Sequence, residues 1–150
     1  MRIDDESFAF FDHGIELTRR FRALKLWTTL RYYGIDRIAD AITHDCAMAT
    51  HLGEQVTASD DLELLAPVEL GICCFRYLPS TTSSVDIDLD TLNQRVLAAL
   101  VDSGEAYLSN ATVHDQFALR ACVVNFRTTR QDIEHMLTSV RALGAQLTSQ

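Results

Sequence analysis

The sequence predicts an α+β fold: a small, mostly antiparallel four-stranded sheet covered by helices and preceded by a long helix suited to an interface. Three observations predict it. Apolar residues recur with a helical period up to about residue 52, then alternate in short runs, then return twice to the helical period. Glycine, proline or a polar run marks most of the changes. The resulting order is helix, helix, strand, strand, helix, strand, strand, helix, which suits a sheet with helices on one face.

Residues 1–16 read as extended or irregular, with a turn at Asp12–Gly14 and three aromatics, Phe8, Phe10 and Phe11, ahead of any regular element. Helical signals begin at Leu17 or Thr18, with Thr18 as the N-cap and Gly34 as the stop. At about 100° per residue, Leu17, Phe21, Leu24, Thr28 and Tyr32 fall on one side of this helix. Ala23, Leu26, Leu30 and Tyr33 fall almost opposite, with Arg19, Arg20, Arg22 and Lys25 between the two stripes. A surface helix needs one apolar stripe. Two stripes describe a helix sandwiched between layers, one of them supplied by polypeptide outside this chain. The aliphatic stems of Arg and Lys suit the edge of such a contact. Burial within this one domain is the plainer alternative.

Ile35, Ile38, Ala41, Ile42, Ala49 and Leu52 form the stripe of a second helix, with Gly53 as its breaker. Leu62–Pro67 and Glu69–Pro79 read as strands, and Ser80–Asp86 as a polar loop. Asp88–Gly104 is a helix with Leu89, Leu92, Val96, Leu97, Leu100 and Val101 on its apolar face. Glu105–Val113 and Phe117–Phe126 read as strands joined through His114–Gln116. The final helix is Thr128–Gly144, capped by Thr128 or Thr129 with Asp132 in its first turn.

Composition narrows the function. A 150-residue chain is long enough for one domain with a real core. Net charge is −8, which argues against nucleic acid as a partner. No apolar run approaches the ~20 residues of a membrane span, and the acidic start does not resemble a secretory signal. Cys46, Cys73, Cys74 and Cys122 form no C-x-x-C pair. Cys73 and Cys74 are adjacent in a strand and point to opposite faces. The expectation is small buried thiols in a cytoplasmic setting. His44, Cys46 and His51 do not make a metal site: the first two face apart, and His44 and His51 stand about 10 Å apart along the helix axis. No G-x-S-x-G elbow and no phosphate-cradling glycine loop occurs.

Four ordered blocks carry a resemblance: "RRFRALKLWTTLRYYG" (Arg19–Gly34), "LGICCFRYLP" (Leu70–Pro79), "LDTLNQRVLAALVDSGEAYLSNATV" (Leu89–Val113) and "LRACVVNFRTTRQDI" (Leu119–Ile133). Together they resemble the group II pyridoxal-phosphate decarboxylases, the family of aromatic-amino-acid, histidine and glutamate decarboxylases, and most of all its aromatic-amino-acid branch. The resemblance implies the C-terminal domain of a fold-type I pyridoxal-phosphate enzyme. Residues 1–16 would then be a remnant of the linker from a missing large domain, 17–52 the interface helices, and 53–150 the small α+β domain. It implies pyridoxal 5'-phosphate in the full-length protein, an amino-acid substrate, and a homodimer. It also implies that the cofactor's Schiff-base lysine lies upstream, because the one lysine here, Lys25, does not follow a histidine.

By the same resemblance, Thr18 borders the substrate pocket at a helix N-terminus. Arg19, Arg20, Arg22, Lys25 and Trp27 belong to the interface with the missing large domain or a second subunit. Arg76, Arg120 and Arg127 are further candidates for pairs across that boundary, and Asn125 is expected to be structural. No catalytic residue and no metal ligand is expected in the chain. The implied function is a decarboxylase segment that closes the pocket and supports the dimer without being catalytic alone. The alternative is a non-catalytic α+β interaction or regulatory module.

Overall fold

A computed structural model describes His13, Ile15, residues 20–79 and residues 87–149. The chain divides into two compact units, Met1–Ile38 and Ala39–Gln150.

In the first unit, α1 spans Ala23–Tyr33, five or six residues later than the sequence suggests. Its N-cap position is Arg22, whose side chain makes no capping hydrogen bond. The expected cap, Thr18, lies outside the described residues. A tight turn does the work of a cap: the Arg22 N–H bonds the Arg20 carbonyl at 2.7 Å and the Leu24 N–H bonds the Phe21 carbonyl at 3.2 Å. At the other end Gly34 stops the helix as expected. Its φ of 83° suits glycine, and its N–H reaches the Leu30 carbonyl.

Helix α2 runs Ile35–Thr57, so Gly53 is no breaker. Gly53 is a packing residue: a Cβ there would come within 2.5 Å of Val68 Cγ2. Strands β1 (Leu62–Leu64), β2 (Ile72–Tyr77), β3 (Ser109–Val113) and β4 (Gln116–Cys122) form one sheet in the order β1-β2-β4-β3. Every pairing is antiparallel. The β3–β4 hairpin turns on His114 and Asp115, both with positive φ, which matches the right-handed twist of the strands.

Helix α3 (Leu89–Ser103) starts at Asp88, whose side chain accepts from the Asp90 N–H, and stops at the left-handed Gly104. Helix α4 (Arg130–Thr148) starts at Thr129 with a reciprocal capping box to Asp132. It runs past Gly144, the expected end. Gly144 is buried against the Tyr77 ring, where a side chain would not fit.

The core of the second unit follows from alternation in the sheet. Cys73, Phe75 and Tyr77 of β2, with Leu119 and Ala121 of β4, point inward. They meet Leu92, Val96 and Leu100 of α3, and Ile133, Leu137 and Val140 of α4. Met48, Ala49, Leu52 and Val56 from α2 join the same cluster. An ion pair from Arg141 to Asp61 at 2.9 Å ties α4 to the turn before β1.

Candidate functional site

Thr18 and Arg19 lie outside the described residues. Arg20, Arg22, Lys25 and Trp27 are all exposed. Helix α1 buries none of its residues. Trp27 keeps 60% of its surface and Tyr32 79%, and Leu24, Leu26 and Tyr33 are exposed as well. Thr28 and Thr29 turn their hydroxyls back to the Leu24 and Lys25 carbonyls, at 2.6 and 2.8 Å. Polar groups of the helix are thus satisfied internally, and what remains outward is apolar on both sides, with the cations between.

Arg76 and Arg120 lie on the outer face of the sheet and have partners within the chain. Arg76 pairs with Glu63, its register partner on β1, at 2.6 Å. The Arg120 Nε donates to the Ser109 hydroxyl, its register partner on β3, at 3.1 Å. Both guanidiniums sit over strand neighbours that the antiparallel register puts within reach. Arg127 is exposed. The Asn125 side chain accepts from the Arg127 N–H, and its carbonyl accepts from the Thr128 N–H, so Asn125 shapes the turn before α4.

The cysteines are less uniform than expected. Cys73 is buried, and burial pushes its thiol up to about 12. Cys74, on the outer face, is half-buried like Cys46, and Cys122 is exposed at the end of β4. Burial pushes the Cys74 thiol up, Arg120 draws it down, and Cys122 pushes it up again. On α2 the His44 ring Nε2 lies 2.8 Å from the Thr128 carbonyl, which gives it a structural partner. His51 is buried with its Nε2 unpaired.

Surface depressions of the second unit include one along α2 and one at the start of α3. The larger, about 500 Å³, lies along α2 and β1, between Thr50, Gly53, Thr57, Leu64 and Val68. Its threonines bond their own helix, so its walls are largely apolar. The smaller, about 250 Å³, lies at the start of α3 beside Asp88, Thr91 and Arg95. Neither contains lysine or pairs a nucleophile with a base. A Schiff base needs a lysine amine, and the one lysine of the chain, Lys25, stands exposed on α1. The described residues therefore do not fit a pyridoxal phosphate site.

The sequence profile described as the pyridoxal-dependent decarboxylase conserved domain matches residues 4–78. An aromatic-L-amino-acid decarboxylase of Bacillus atrophaeus is 32% identical over 138 residues. That alignment takes in 92% of this chain and 28% of the relative. Tryptophan decarboxylase of Catharanthus roseus, solved in complex with L-tryptophan, superposes with a TM-score of 0.78 at 28% identity. It covers 92% of this chain and 28% of that one. TDC of Oryza sativa, solved with PLP and tryptamine, gives a TM-score of 0.78 at 26% identity, over 90% of this chain and 29% of its own. The chain thus spans less than a third of the length of these relatives.

Proposed function

The chain belongs to the pyridoxal-dependent decarboxylase family, and from that premise we propose that it is the C-terminal segment of a decarboxylase acting on an aromatic L-amino acid in the cytoplasm. One observation carries the reading. Nearly the whole chain aligns with little more than a quarter of a relative, while its sole lysine, Lys25, stands exposed on α1 and does not follow a histidine. In the complete enzyme the cofactor supplies the electron sink for loss of CO2. This segment closes the substrate pocket, supports a homodimer and contributes Thr18 to the pocket rim. Arg19, Arg20, Arg22, Lys25 and Trp27 meet the large domain or the second subunit.

Reconstitution tests this. The chain alone, incubated with pyridoxal phosphate and treated with borohydride, is expected to yield no specific lysine adduct and no decarboxylation. Joined to the upstream portion of the Bacillus atrophaeus relative, it is expected to restore CO2 release from an aromatic amino acid. Activity of the chain by itself would overturn the non-catalytic role. Failure of every upstream portion to gain activity from it would overturn the decarboxylase reading.

A second reading, a free-standing α+β interaction module, draws on the second unit having its own closed core. It expects the chain to stay monodisperse alone and to ignore the upstream portion in the same experiment.

A further inference from the structure

Cys74 and Cys122 stand on the outer face of the sheet, on the neighbouring antiparallel strands β2 and β4. Cys74 is paired with Arg120 and Cys122 with Ile72, so the two thiols are diagonal neighbours across the ladder. Such diagonals put Cα atoms about 7–8 Å apart. A disulfide spans Cα separations below about 7 Å, so this register works against a direct S–S bond. Two metal–thiolate bonds of about 2.3 Å laid end to end hold their sulfurs about 4.6 Å apart, which a diagonal pair can reach.

Cys122 is exposed and Cys74 is partly accessible. Among the described residues no group of three or more His, Cys, Asp or Glu is placed to share an ion. Four-coordinate zinc therefore lacks its ligands. A soft ion content with two thiolates does not. We infer that Cys74 and Cys122 form a two-coordinate site for a soft monovalent cation, of which Cu(I) is the biological example.

Binding is a ligand exchange without electron transfer. Each thiol gives its proton to solvent, two S–Cu bonds form, and Cu(I) leaves the ligands that delivered it. The bis-thiolate complex carries a net charge of −1. Arg120, opposite Cys74 and anchored to Ser109, offsets that charge. The inference does not rest on the decarboxylase reading and is tested without any activity measurement.

The reduced full chain is titrated under anaerobic conditions with Cu(I) delivered from a coloured bis-chelate, and the product is weighed by native mass spectrometry. A one-to-one complex with an ultraviolet thiolate-to-copper band is expected. Cys74→Ser and Cys122→Ser should each abolish it, and Cys46→Ser should leave it intact, with circular dichroism confirming that each variant folds. In the unaltered chain, Cu(I) should also slow alkylation of Cys122 by iodoacetamide, a readout that needs no variant. Absence of the complex, its survival in Cys122→Ser, or its loss in Cys46→Ser would overturn the site. So would equal binding of zinc, or a Cys74–Cys122 disulfide forming readily in air.

Discussion

Asn93 on α3 holds the end of β2 through a single residue, Tyr77. Its Oδ1 accepts from the Tyr77 N–H at 2.8 Å, and its Nδ2 donates to the Tyr77 carbonyl at 3.0 Å. The second Nδ2 hydrogen goes to the Leu89 carbonyl at 2.9 Å. The reason lies in the sheet. The β2–β4 ladder ends at Phe75 and Leu119, and beyond it both strands would leave backbone groups unpaired. Asn93 supplies the missing partner for Tyr77, and Asp90 supplies one for the Phe117 N–H at 2.9 Å. The first turns of α3 thus finish the ladder. Replacing Asn93 by Leu strands two buried backbone groups at about 1–3 kcal/mol each, so a loss of about 2–6 kcal/mol is expected. Urea unfolding should show a lower midpoint with an unchanged slope. A loss below the cost of one group would mean that water or a shifted strand replaces Asn93.

Gly144 is a site where the usual preference of helices should reverse. Gly to Ala inside a helix ordinarily gains about 1 kcal/mol. Here a Cβ would lie 2.5–2.7 Å from three atoms of the Tyr77 ring. Overpacking of that kind costs about 1–3 kcal/mol, so Gly144→Ala should destabilise. In a Tyr77→Leu background the penalty should shrink or change sign. Equal penalties in both backgrounds would show that the ring is not the obstacle.

These two residues also show where sequence reading stops. The order of eight elements, the cap at Thr129, and the stops at Gly34 and Gly104 are legible, because each depends on residues within a few positions. Gly53 and Gly144 were misread as helix ends. Their reason is a partner distant in sequence, Val68 in one case and Tyr77 in the other. Asn93 hides in the apolar stripe of α3, and only the short β2–β4 ladder explains it. The partners of Arg76 and Arg120 within the chain, Glu63 and Ser109, follow from strand register, which no local pattern shows. One faint signal existed for Asn93: a buried amide in an otherwise apolar stripe needs partners.

The cap of α4 sets a pH dependence. The hydroxyl and N–H of Thr129 both donate to Asp132 and hold its carboxyl below the ordinary 3.8. Thr91 and the start of α3 act on Asp88 in the same sense. For each group the folded-state pKa lies below the unfolded one. The stability they contribute is therefore complete above pH 3.8 and is lost as pH falls through the lowered values. An Asp88→Asn, Asp132→Asn double variant should be less stable than the parent at neutral pH. The gap should close as pH falls below 3.8. Thermal melts across pH 2–7 measure it, and a gap constant with pH would remove the carboxylates from the account. Thr129→Ala should cost about 1 kcal/mol at neutral pH, the usual value of a lost N-cap.

Helix α1 offers the sharpest check on the proposed upstream partner polypeptide, because Trp27 is the only tryptophan in the chain. Its fluorescence reports on α1 and on nothing else. Eleven residues fall short of the roughly 12–15 at which a helix begins to hold in water without tertiary support. No residue of α1 is buried. In the isolated chain Trp27 should emit at long wavelength and be quenched freely by iodide. Amides of residues 23–33 should exchange far faster than those of β2 and β4. When the upstream portion of a relative is supplied, the emission should move to shorter wavelength, quenching should fall, and those amides should gain protection. Trp27→Ala should then weaken association while leaving the urea midpoint of the second unit unchanged. A slow-exchanging α1 in the isolated chain, whether bare or covered by its own residues, would contradict the idea that its two apolar sides were shaped for polypeptide supplied from elsewhere.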